Sequence, residues 1–203
     1  FSSLILSINH HPFQSSRFDP YHGDQGVAPY QELINYVNSR GGLTFWAHPE
    51  SNYSKTGKIG PFKLATTSIS GSLSDAKDYT GFSALYEGAA KIANPGKKWD
   101  QLLNEYCRGE REHPVWGIAD ANFQGDASGV KMDSYQTVFL VKNATEYEIL
   151  QALARGRVYA KQKGKAAGLK LDEFKVTDKT TANAALMGGE IRITKTPVIS
   201  GKL

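Results

Sequence analysis

Apolar positions in this chain come in short blocks between polar, glycine-rich stretches, and the spacing inside the blocks changes along the sequence. Leu4-Ile5-Leu6 with Ile8 is a continuous apolar run of the kind a buried strand shows, and the turn-rich residues 9–26 follow it as a loop. Pro29 then opens a helix in which Tyr30, Leu33, Ile34 and Val37 recur on one face. Gly41-Gly42 stops that helix, and Leu43-Thr44-Phe45-Trp46-Ala47 follows as a β-branched and aromatic strand. Residues 48–80 show little periodicity and are too long for an ordinary loop, so they are functional or partly structured. Phe82-Ser83-Ala84-Leu85-Tyr86 is the next short strand.

The same rhythm then repeats. Trp99, Leu102, Leu103 and Tyr106 mark an amphipathic helix, and Val115-Trp116-Gly117-Ile118-Ala119 a strand ending at Asp120. Thr137-Val138-Phe139-Leu140-Val141 is a strand, and Thr145 caps a helix carrying Ile149, Leu150 and Leu153, with Glu148 as its capping-box partner. Arg155-Gly156 closes that helix and Val158-Tyr159-Ala160 begins another strand. Strand–helix alternation at this spacing predicts a parallel α/β sheet or barrel. By the crossover rule, 43–47, 115–119 and 138–141 are expected as neighbours or near neighbours of one mostly parallel sheet. The tail differs. Leu169-Lys170-Leu171, Phe174-Lys175-Val176 and Glu190-Ile191-Arg192-Ile193 alternate with period two, which predicts an antiparallel appendage over 167–203 beside an α/β domain over 1–166.

Composition narrows the function classes only a little. The 203 residues are 40% hydrophobic and 22% charged, ordinary for a globular domain. A net charge of +4 suits anionic substrates but is too diffuse to argue specific nucleic-acid binding. Cys107 is the one cysteine, which excludes an intramolecular disulfide and a cysteine-rich zinc module. No apolar run approaches membrane-spanning length, so no membrane partner is expected. A buried strand at the very first residues also leads one to expect further chain before Phe1.

Chemistry in parallel α/β architectures gathers beyond the C-terminal strand ends. The first strand delivers Asn9-His10-His11, the second His48, the third Glu87 and the fourth Asp120-Ala121-Asn122. Imidazoles and carboxylates meeting from separate strand ends make a donor set for zinc, manganese or iron. Such an ion polarises a phosphoryl oxygen and acidifies a water.

These residues also resemble a known family. Gly41-Gly42-Leu43-Thr44-Phe45-Trp46-Ala47-His48-Pro49 is similar to the "GG…AHP" strand of the polymerase-and-histidinol-phosphatase (PHP) family. Trp99-Asp100-Gln101-Leu102-Leu103 and Pro114-Val115-Trp116-Gly117-Ile118-Ala119-Asp120-Ala121-Asn122-Phe123 resemble the segment bearing its "DxH" motif, and 145–160 its last helix and strand. The resemblance covers roughly 27–162 and is strongest to the branch in which a small β domain follows the barrel. It implies an incomplete, distorted (β/α)7 barrel with a short C-terminal antiparallel β appendage. It also implies two or three divalent metals and hydrolysis of a small phosphorylated molecule. The sequence departs from the family in two places. The opening His-x-His has no counterpart and would lie before Phe1, and Asn122 stands where a ligand histidine is expected. An Asn carbonyl holds a hard cation but replaces imidazole poorly on zinc. Glu87 and His10 or His11 match by position only.

Each candidate also has a plainer reading. His48 also reads as a strand terminus before Pro49, Asn122 as a hydrogen-bonded loop residue, and His10 and His11 as loop histidines. Arg108 and Arg111 are candidates to meet a substrate phosphate, or belong to a solvated basic face with Lys97 and Lys98. Two functions therefore stand. One is a metal-dependent phosphoesterase with a divergent metal site. The other is a non-catalytic PHP-like domain that has lost its metals and binds a ligand or partner. With Asn122 in place of imidazole and the family's first ligands unmatched, the chain alone is expected to bind divalent metal weakly or not at all.

Overall fold

Pro29 lies in the first turn of the first helix, where its missing N–H removes no intrahelical hydrogen bond. The computed structural model describes residues 26–50, 56–65, 72–86, 91–123, 125, 129, 131–164, 168 and 170–203. The expected strand over 4–8, and with it His10, His11 and Glu87, lies outside the described residues. In chain order the elements are α1 (Ala28–Asn38), β1 (Phe45–Trp46), β2 (Thr56–Ile59), β3 (Phe62–Ala65), α2 (Ser72–Asp75), β4 (Gly81–Tyr86) and α3 (Lys98–Cys107). They continue as β5 (Trp116–Asp120), β6 (Tyr135–Phe139), α4 (Glu146–Ala154), β7 (Val158–Gln162), β8 (Glu173–Asp178), β9 (Ala184–Leu186) and β10 (Pro197–Lys202). Among the described residues no helix is long and apolar enough to cross a membrane.

The chain divides into two compact units. One comprises the described residues of Phe1–Thr44 and Pro49–Tyr79, the other Phe45–His48 with Thr80–Leu203. In the first, β2 and β3 form an antiparallel hairpin, so the stretch 48–80 has structure of its own. Its later part is tied to α1 by side-chain amides. The Gln31 Oε1 accepts from the Lys77 N–H at 2.8 Å, and Asn38 Nδ2 donates to the Asp78 carbonyl at 2.8 Å. Ile34 is buried but Leu33 is exposed, so the helix stripe is narrower than its periodicity suggests.

The second unit holds a three-stranded parallel sheet in the order β1-β4-β5. The helix α3 connects β4 to β5, and its Trp99 meets Phe82 edge-on, with centroids 5.6 Å apart. The Trp99 indole N–H donates to the Val115 carbonyl at 2.8 Å, which lets an amphipathic ring pack without stranding its donor. Phe82 and Leu102 are wholly buried here, each contributing about 1.5–3 kcal/mol of transfer free energy. Gly81 opens β4 because a Cβ there would run into the Trp116 carbonyl and the Phe45 ring.

A distorted (β/α)7 barrel is not what this chain forms. Among the described residues the parallel sheet has three strands and is open, and the remaining strands pair antiparallel in separate sheets. The strand expected over 138–141 is the clearest departure. As β6 it pairs antiparallel with β7, Tyr135 opposite Gln162 and Phe139 opposite Val158. Leu140 N–H donates to the Arg157 carbonyl at 2.9 Å, so α4 sits inside the loop of a hairpin rather than in a crossover. The turn back is made at Gly156, with φ of 65°, where any Cβ would strike the Trp116 ring. The join to β5 is made by a side chain. Thr137 Oγ1 accepts from the Ala119 N–H at 3.0 Å and donates to the Ala119 carbonyl at 3.1 Å. One hydroxyl thus takes both main-chain groups through which Ala119 would pair with a further parallel strand.

Past residue 170 the chain forms an antiparallel sheet in the order β10-β8-β9, within the same compact unit as the parallel sheet. The alternating run 174–176 falls within β8, but that at 190–193 does not make a strand. Residues 190–193 are irregular, and Thr194 just beyond them is pinned by Asp178, which accepts its N–H at 2.9 Å and its hydroxyl at 2.7 Å.

Candidate functional site

The three parallel strands end side by side, and the residues that follow β1 and finish β5 meet there. His48 lies two residues past β1 and Asp120 is the last residue of β5. His48 Nε2 stands 3.0 Å from Asp120 Oδ2, at ion-pair distance but without the alignment of a hydrogen bond. The imidazole is largely buried, with 10% of its side chain exposed, while Asp120 keeps 30%. Tyr86, at the end of β4 between the two strands, places its ring 4.8 Å from the imidazole at a 33° tilt.

Backbone strain marks the same spot. His48 and Asn122 have φ of 44° and 49°, the left-handed region that non-glycine residues seldom enter. Asn122 takes that conformation while donating its N–H to Asp120 Oδ1 at 2.8 Å, which fixes one carboxylate oxygen. The other oxygen, Oδ2, accepts from the Ser83 hydroxyl at 3.3 Å. Strain held by such contacts is characteristic of sites where side-chain direction matters.

Ser83 and Tyr86 reach this face through a bulge in β4. Ser83 pairs with Ile118, whereas Leu85 pairs with Ala119 and Tyr86 with Asp120, so Ala84 is an extra residue. In a regular strand, residues three apart point to opposite faces. The extra residue restores the parity, and Ser83, Tyr86 and Asp120 share one face. The structure brings together His48, Asp120 and the Asn122 N–H, which the sequence singled out, with Ser83 and Tyr86, which it did not. One signal was present: Ser83 is a lone hydroxyl in an otherwise apolar block, and a buried hydroxyl needs a partner.

A donor set of one imidazole nitrogen and one carboxylate oxygen suits zinc, manganese or iron. Two such donors bound to one ion at about 2.1 Å, at angles between square and tetrahedral, stand about 3.0–3.4 Å apart. The 3.0 Å separation fits that requirement. Among the described residues no group of three or more His, Cys, Asp or Glu converges.

The two arginines are placed elsewhere. Arg108 forms a forked pair with Glu110 at 2.7 and 3.1 Å, and Arg111, almost fully buried, donates from Nε to Glu105 at 2.7 Å. Both belong to the segment leading into β5, and Asp120 lies at that strand's far end, about 13 Å on at 3.3 Å per residue. The structure does not bring them to His48 and Asp120. A separate apolar cavity of about 470 Å³ is lined by Trp99, Trp116, Tyr159, Phe174, Met187 and Ile191. Its indole N–H groups are committed to the Val115 and Ala154 carbonyls.

Comparison with known proteins yields no match: no family model, no curated protein and no solved structure is similar to this chain.

Proposed function

We propose that this chain carries part of the metal centre of a metal-dependent phosphoric-ester hydrolase related to the PHP family, with His48 and Asp120 as two ligands of one divalent ion. The observation supporting it is the 3.0 Å approach of an imidazole and a carboxylate delivered by separate parallel strands. When bound, zinc, manganese or iron supplies Lewis acidity toward a phosphoryl oxygen and lowers the pKa of a water. The protein's own part is positional. Tyr86 backs the His48 ring, and the Asn122 N–H holds Asp120 Oδ1. A small phosphorylated molecule is the substrate class this chemistry serves.

The same 3.0 Å contact favours a second reading, in which the pair serves as a metal-free ion pair in a ligand- or partner-binding domain. Hydrolysis of p-nitrophenyl phosphate with added manganese separates the two. The hydrolase reading expects manganese-dependent turnover that His48→Ala and Asp120→Ala each abolish. Turnover that is absent from the wild type, or that persists at the wild-type level in both variants, contradicts it.

A further inference from the structure

Bulges are uncommon in parallel strand pairs and tend to sit where a side chain must be re-aimed. The one in β4 has a definite consequence: it puts Ser83 on the face of Asp120 while keeping Tyr86 there as well. Ser83 is only 2% exposed, and burying a hydroxyl costs free energy unless a partner is found. Its partner is Asp120 Oδ2, the oxygen that also faces His48 Nε2. With Oδ1 accepting a main-chain N–H at 2.8 Å and Oδ2 a buried hydroxyl at a longer 3.3 Å, turning the carboxylate plane breaks both contacts.

We infer that Ser83 is a positioning residue: through the bulge at Ala84 it fixes Asp120 Oδ2 in the direction of His48. Its orienting effect stands on geometry alone. Its functional consequence rests on the reading of His48 and Asp120 as metal ligands, so each part has its own measurement.

Crystal structures of the wild-type chain and Ser83→Ala, both metal-free, read the orientation. The Asp120 carboxylate is expected to rotate, opening the Oδ2–Nε2 separation beyond roughly 3.5 Å. A separation unchanged from wild type overturns the inference. Titration with manganese alone, followed by electron paramagnetic resonance, reads the consequence. Ser83→Ala is expected to weaken manganese binding about 10- to 100-fold, the usual effect of losing a group that orients a ligand. Ser83→Thr, which keeps the hydroxyl, is expected to restore it, with thermal melts of the metal-free proteins confirming that both variants fold. If Ser83→Ala binds manganese like wild type while His48→Ala does not, the positioning role falls and the metal reading survives. If neither wild type nor variant binds manganese, the metal reading falls, and the pair of crystal structures alone decides whether Ser83 orients Asp120.

Discussion

Among the described residues two aspartates end strands, and they begin alike. Asp120 closes β5 and Asp178 closes β8, and each accepts the N–H of the residue two further on with Oδ1, at 2.8 and 2.7 Å. They part at Oδ2. Asp178 is fully buried, and its Oδ2 takes the N–H and the hydroxyl of Thr194, both neutral donors from a distant loop. Asp120 is partly open, and its Oδ2 meets one buried hydroxyl and an imidazole. A carboxylate saturated by neutral donors is a structural tie. The Asp120 carboxylate is partly exposed and faces an imidazole at the end of a parallel strand.

If this contrast is right, removing Asp178 hurts the fold most. Asp178→Ala removes the one carboxylate that accepts the Thr180 amide and the amide and hydroxyl of Thr194, and its thermal midpoint should fall further than that of any Asp120 variant. A melt of Asp178→Ala equal to wild type would break the comparison.

Acid should expose the same tie. The amide of Thr180 first, then the hydroxyl and amide of Thr194, hold the Asp178 carboxyl down from 3.8 to about 2. A carboxyl whose folded pKa is depressed stabilises the fold above its unfolded pKa and loses that contribution as pH falls through the folded one. Stability measured by urea titration should therefore drop between about pH 4 and pH 2, and drop less steeply in Asp178→Asn. Parallel curves for the two proteins would remove Asp178 from the account.

A smaller loss is expected from Thr194→Val, which deletes one hydroxyl donor and keeps the amide. The smallest belongs to Asp120→Asn. Its site is partly solvated, so its melt should stay within about 2 °C of wild type. A large destabilisation there would make Asp120 a structural residue of the same kind as Asp178.

The local signals that were legible were stops and starts. Pro29, Gly41-Gly42, the Thr145 cap and Gly156 bracket α1 and α4 where the sequence places them, and Thr145 Oγ1 does accept the Glu148 N–H, at 3.3 Å. The capping carboxylate behaves differently, reaching back past the cap to the Lys142 and Asn143 amides at 3.0 and 2.9 Å. His48 and Asp120 were legible because each follows an apolar block at the end of a strand. Three features were not. The block 81–86 is apolar but for Ser83, and its pattern gives no sign that Ala84 breaks the parity. The run 137–141 reads equally well in a parallel or an antiparallel sheet, and the choice turned on a return at Gly156 and a hydroxyl at Thr137. Period-two alternation in the tail foretold antiparallel pairing but not which residues pair, because register depends on partners far along the chain.

The most direct test is where a metal sits. The sequence alone leads to an expectation of weak metal binding or none. The paired geometry instead predicts that crystals of the wild-type chain, soaked in enough zinc to load a weak two-ligand site, show one anomalous peak about 2.1 Å from both His48 Nε2 and Asp120 Oδ2, with no such peak at that position in His48→Ala. Crystals in which His48 and Asp120 keep their direct contact and no peak appears there would contradict the metal-centre account.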